Sequence, residues 1–249
     1  MRNNLLKLGM AALLGLGSVP AARAQDVFMD MFNSANQAAV SMSLVNINNA
    51  AVMASTRGAS AKSGAAGSSA SAAGRKANLA YAPSAALRQQ TVQTMSSQLQ
   101  AKSPSAAQAF NNAFGPGKAD YDQLFAEMVK ASGLPANNAA TAFAAYLEIG
   151  YIIVNNVQDQ RSIMPAVDQG LQRQATALLA QNKSLTSPAA VAKFGEATKL
   201  QTILMYLGWQ NAQKSGQASQ FRNTIAEQFS RQGLDLSLVK LTTQGMVKK

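Results

Sequence analysis

The chain has no cysteine and no histidine, a single tryptophan, and only 13% charged residues. Each shortage excludes something. Without cysteine there is no disulfide, so stability has to come from burial alone. Without histidine the commonest general base, the commonest metal ligand and the side-chain switch near neutral pH are missing. Together the two absences rule out a Ser-His-Asp triad, a Cys-His pair and the ordinary zinc sites. A phosphate-cradling loop is absent too: Gly64, Gly67 and Gly74 lie in a low-complexity tract with no strand before it. EF-hand spacing, a dinucleotide fingerprint and an RNA-binding aromatic motif are likewise missing. The sequence therefore predicts no cofactor and no metal site, and it assigns no catalytic residue.

What is present begins with a basic start (Arg2, Lys7), an apolar run from Leu8 to Gly17 and the small-residue sequence Ala22-Arg23-Ala24. Those are the three parts of a secretory signal peptide, with cleavage expected after Ala24. The apolar run is about half the roughly 20 residues a spanning helix needs. The expectation is an exported protein, periplasmic or extracellular, with no membrane span in the mature chain. Removing Arg2, Lys7 and Arg23 lowers the formal charge from +11 to +8.

Residues 25–56 carry no basic side chain, and Phe28, Phe32, Ala35, Ala39 and Met42 recur at helical spacing, which predicts an amphipathic helical arm. From Gly58 to Gly74 every residue except Lys62 is Gly, Ala or Ser. Such a composition cannot bury enough apolar area to offset its ordering entropy, so 57–78 reads as a flexible basic linker and 79–249 as the folded domain.

Helical punctuation runs through that domain. Ser84 is placed to cap a helix bearing Leu87, Val92, Met95 and Leu99, and Ser103-Pro104 and Ser187-Pro188 each set a hydroxyl before a first-turn proline. After the break at Gly115-Pro116-Gly117, Asp120 and Asp122 supply negative charge to a helix start, and Gly133 ends that helix. Residues 138–157 are the least polar stretch and predict a buried core helix; 162–181, 189–214 and a final helix with Phe221, Ile225 and Phe229 follow. The fold class is all-α, an orthogonal or bundle-like array of about six or seven helices. The alternation in 234–241 allows a short extended segment, for which the sequence offers no partner strand.

The ordered set Gly133-Leu134-Pro135, Ala142-Phe143-Ala144-Ala145-Tyr146, Gly233-Leu234-Asp235-Leu236 and Leu241-Thr242-Thr243-Gln244-Gly245-Met246 resembles an uncharacterised family of exported bacterial proteins, a domain of unknown function, over roughly 84–247. That resemblance implies export and a helical domain, and transfers no catalytic residue.

Among the acids, Asp26/Asp30 and Asp120/Asp122 read as dipole partners or solvated faces. Glu148, inside the most apolar helix, is the acid to examine, facing a wet groove or meeting an arginine such as Arg161 or Arg173. Tyr146, Tyr151 and Trp209 are candidates to line a ligand groove between the central helix and the Trp209 helix, though aromatics at helical spacing more often form core. The positive charge is diffuse, with 15 basic and 9 acidic residues after Leu79. It suits an anionic envelope surface or another envelope protein as partner, and not nucleic acid. The leading functional expectation is a non-enzymatic interaction or structural component of the cell envelope. The alternatives are a small-molecule or lipid-binding module and a His-free carboxylate hydrolase.

Overall fold

The computed structural model describes residues 78–159 and 163–249. The signal peptide (1–24), the arm (25–56) and the linker (57–78, apart from Asn78) lie outside the described residues, as do Arg161 and Ser162. The described part is an all-α, bundle-like array: α1 (Ala85–Lys102), α2 (Pro104–Phe114), α3 (Tyr121–Val129), α4 (Ala139–Val154), α5 (Pro165–Leu179), α6 (Pro188–Lys214) and α7 (Ala218–Arg231). A small antiparallel hairpin of β1 (Val239–Thr242) and β2 (Gly245–Lys248) closes the chain.

Helix α4 is the centre, packed on α5, α6 and α7. Every residue from Ala139 to Gly150 is buried, as its all-round apolarity requires. Helix α6 lies beside it and is almost continuously buried from Phe194 to Gln210. The helix starts follow local chemistry. The Ser84 hydroxyl accepts from Leu87 N (3.3 Å), Ser187 from Ala190 N (3.1 Å), and Asn138 Oδ1 from Ala140 N and Thr141 N (2.8 and 3.2 Å).

Ser103 departs from expectation. It precedes Pro104, yet its hydroxyl caps nothing and lies 3.3 Å from the Ser105 hydroxyl. Its own N–H is bound to Leu99 O (2.7 Å), because the residue closes α1 while it opens α2.

The chain enters the domain along a short extended piece. Leu79 is buried, Leu79 O accepts from Ala139 N (2.8 Å) and Tyr81 N donates to Asn137 O (3.1 Å), so the entering backbone is pinned beside the start of α4.

The expectation of an unpartnered strand near the C-terminus is corrected. The chain turns at Thr243-Gln244 and pairs Val239 with Lys248 through Thr242 with Gly245. Gly245 takes φ +104°, which favours glycine. Helix α5 supplies what a lone hairpin lacks. Gln174 Nε2 donates to Met246 O (2.9 Å) and Gln174 Oε1 accepts from Met246 N (2.8 Å), so one side-chain amide stands in for a neighbouring strand on the β2 edge. At Gly170 the hairpin backbone comes so close that a Cβ would overlap the Thr243 carbonyl.

Candidate functional site

The polar residues that the fold gathers most tightly are on α3 and α6. Glu196 and Lys199 stand one turn apart on α6, both completely buried. Lys199 Nζ donates to Asp122 Oδ1 (2.6 Å), Asn137 Oδ1 (2.7 Å) and Glu196 Oε1 (2.9 Å). Three N–H donors thus meet three acceptors, so the hydrogen-bonding capacity of the group is used in full. Glu196 also accepts from the Tyr81 hydroxyl at Oε1 (2.9 Å) and the Tyr121 hydroxyl at Oε2 (2.6 Å). Arg88 Nη1 reaches Asp122 Oδ2 (2.8 Å) from α1, with Asp120 Oδ2 at 3.7 Å. The Lys199 ammonium lies 5.2 Å from the Tyr81 ring centre and 5.8 Å from that of Phe125.

This arrangement shifts its members in predictable directions. Burial, then the negative charge and hydrogen bonding of Glu196, push the Tyr81 and Tyr121 hydroxyls well above the ordinary tyrosine range. Burial alone would raise Asp122, but the hydrogen bonds and charges of Lys199 and Arg88 outweigh it and hold the carboxyl below its usual value. The bond to Asp122 likewise raises Arg88. Asp122 is therefore more than the dipole partner its position suggests: it joins α1, α3 and α6. The cluster is a closed ionic latch that fixes the entering Tyr81 against α6, where Gly195 leaves room that a Cβ would fill.

An open groove of about 490 Å³ adjoins the latch, reached through Arg88. Helix α1 rests on the domain along a narrow line, with Met95 and Leu99 buried and Val92 half-buried. On one side of that line Gln89, Gln93 and Ser96 face Phe114, Pro116 and Lys118 across the gap. On the other side is a smaller groove of about 240 Å³, with Thr94 on α1 facing Lys193.

The residues singled out from the sequence lie elsewhere and do not converge. Tyr146 is fully buried, hydrogen-bonded to Gln232 and packed against Phe143 and Phe229, with ring centres 6.5 and 5.0 Å apart; burial raises its hydroxyl. Trp209 packs on Phe221 at 6.2 Å and is 4% exposed. Tyr151 is half-buried at the end of α4. Glu148 is buried on a cavity of about 20 Å³ where α3, α4 and α5 meet, shared with Ser132, Asp168 and, from α6, Tyr206. That space holds about one water, and Tyr146, Tyr151 and Trp209 do not line it. The Ser132 hydroxyl donates to Asp168 there. Arg173 is turned away on the surface and donates to Thr243 O (2.9 Å).

Among the described residues no group of three or more acidic side chains could hold a metal ion, and no helix is long and apolar enough to cross a membrane. Comparison with protein-family models, with curated proteins and with solved structures finds no match for this chain.

Proposed function

We propose that the chain is an exported bacterial protein that serves as a non-enzymatic interaction component of the cell envelope, with the groove beside α1 as its recognition surface. One observation carries this reading. An open groove of about 490 Å³ in the described domain is lined by amides, hydroxyls and Phe114 with Arg88, Lys118 and Asp120 at its edge, the chemistry of non-covalent recognition, while the buried charges next to it are occupied with one another. The signal-like N-terminus supports the location. The excess of basic over acidic residues in the domain supports an anionic surface or an acidic envelope protein as its surroundings.

The test is capture from a native envelope fraction by the wild-type chain, by Ser96→Trp, which fills the groove, and by Thr94→Trp, which fills the space on the other side of α1. A partner retained by wild type and Thr94→Trp but lost with Ser96→Trp supports the reading. A partner indifferent to both substitutions refutes the groove as its seat.

The groove's volume also falls in the range of small-ligand sites, roughly 300–1,000 Å³, which favours a second reading as a small-molecule or lipid-binding module. A ligand at a hundred times its dissociation constant should add about 2.7 kcal/mol of stability. Thermal shift against envelope lipids and glycans, repeated with Ser96→Trp, separates this reading from the first.

A further inference from the structure

From Gln89 to Gly117 the only charged residue is Lys102. Helices α1 and α2 nevertheless expose much of this stretch, at Gln89, Gln90, Gln93, Ser97, Gln108 and Asn112 among others. A helix face that serves only solvation normally carries charges, as α7 does with its exposed Glu227–Arg231 pair. The α1–α2 pair presents amides and hydroxyls instead, each able both to donate and to accept.

The groove gathers these groups on its walls. Gln89, Gln93, Ser96 and Ser97 line it from α1 and Asn111 from α2, and none of these side chains holds a hydrogen bond among the described residues. Along α1 they recur about once per turn, or every ~5.4 Å, over a wall of about 18 Å from Ala85 to Ser97. Val92, Phe114 and Pro116 supply apolar surface between the polar walls. That surface has no deep hole, since Phe114 and Tyr121 are only 5% and 2% exposed. The charges stand at one end, where Arg88 is bound to Asp122 and lies near Asp120, so the middle of the groove is neutral.

This combination discriminates among ligands. An acyl chain would take the wall amides out of water with nothing to bond them. A protein segment draws its affinity from an aromatic or aliphatic anchor sunk in a pocket, and the floor offers none. A sugar ring meets both demands: its C–H faces suit the apolar floor, and its hydroxyl and acetamido groups suit the amides and hydroxyls beside it. A straight β-linked strand also repeats its rings at a spacing close to one helical turn.

We propose that the groove between α1 and α2 is a glycan-binding site, which takes a straight β-1,4-linked strand of uncharged sugars laid along α1 and bonded by Gln89, Gln93, Ser96 and Asn111. The proposal rests on reading the groove as the recognition surface and names what is recognised there.

The test is isothermal titration of the full chain with β-1,4-linked oligosaccharides of N-acetylglucosamine and of glucose, from dimer to hexamer. In at least one series, affinity should rise with length until the groove is filled and then level. Gln89→Ala/Gln93→Ala should weaken the longest oligomer about tenfold, while Thr94→Trp, on the other side of α1, leaves it unchanged. Both glutamines are exposed, so the double variant should melt with wild type; if it melts lower, Asn111→Ala on the facing helix takes its place.

Failure of both series to bind at millimolar concentration overturns the glycan site. So does binding that ignores the groove variants. Groove-dependent binding of an acidic peptide or of phosphatidylglycerol vesicles, with no binding of oligosaccharide, overturns the ligand class and leaves the recognition surface standing. Envelope capture indifferent to Ser96→Trp overturns that surface itself, so the two failures are distinguishable.

Discussion

Lys199 makes three hydrogen bonds and two ring contacts without touching solvent, to groups drawn from the entering segment, α3, the start of α4 and α6 itself. A buried ion pair contributes little net stability over a well-packed apolar pair, but removing one member leaves the other charged in a poor solvent. Lys199→Met should therefore lower unfolding free energy by about 3–5 kcal/mol, read from denaturant midpoints at constant m-value. The double variant Glu196→Gln/Lys199→Met should cost less than the sum of the singles, because the two groups share one network. Glu196 was partly legible in advance. With Leu200, Ile203 and Leu207 it falls at i, i+4, i+7 and i+11, on the buried face of α6. Its tyrosine partners were not legible, because Tyr81 and Tyr121 are brought to it from 115 and 75 positions away by the entering segment and the packing of α3.

The elements divide according to whether their determinants are local. Helices α1, α4 and α6 are readable because Ser84, Asn138 and Ser187 cap their own first turns. The hairpin is not, because its edge bonds come from Gln174 and its seat from Gly170, far back in the chain. The groove escapes sequence reading for a related reason: it exists only because α1 sits on Met95 and Leu99, leaving its flanks open. Two substitutions test how the hairpin is held. Gln174→Ala leaves the N–H and carbonyl of Met246 without their partner and should cost about 1–3 kcal/mol, with faster amide exchange at Met246. Gly170→Ala drives a methyl into the Thr243 carbonyl and should cost about 1–3 kcal/mol through displacement of the turn. Retention of wild-type exchange across 239–248 in Gly170→Ala would show that the close approach is not needed.

At the scale of the molecule, the composition and the latch together set the pH range of stability. With neither histidine nor cysteine, no side chain has an ordinary pKa between the carboxylates, near 4, and tyrosine, near 10. The limits come from the two ends. Asp122 is held below its unfolded value, so the stability it contributes is complete above about pH 4 and lost as pH falls through the lower, folded value. Tyr81, Tyr121 and Tyr146 are raised, so their contribution is complete below about pH 10 and lost as pH rises, because the unfolded chain releases protons that the folded one retains. Each such proton steepens the alkaline decline by about 1.4 kcal/mol per pH unit. Denaturant midpoints between about pH 4 and 10 should accordingly be level. Above that range, the onset of tyrosinate absorbance from these three residues should coincide with loss of helical circular dichroism. Tyr81→Phe removes one of those protons and should reduce the alkaline slope by that single increment, while Asp122→Asn flattens the acid limb and leaves the alkaline one in place. An unchanged alkaline slope in Tyr81→Phe would mean that the latch does not hold Tyr81 protonated, and the anchoring of the entering segment would have to be sought in its backbone bonds to Asn137 and Ala139 alone.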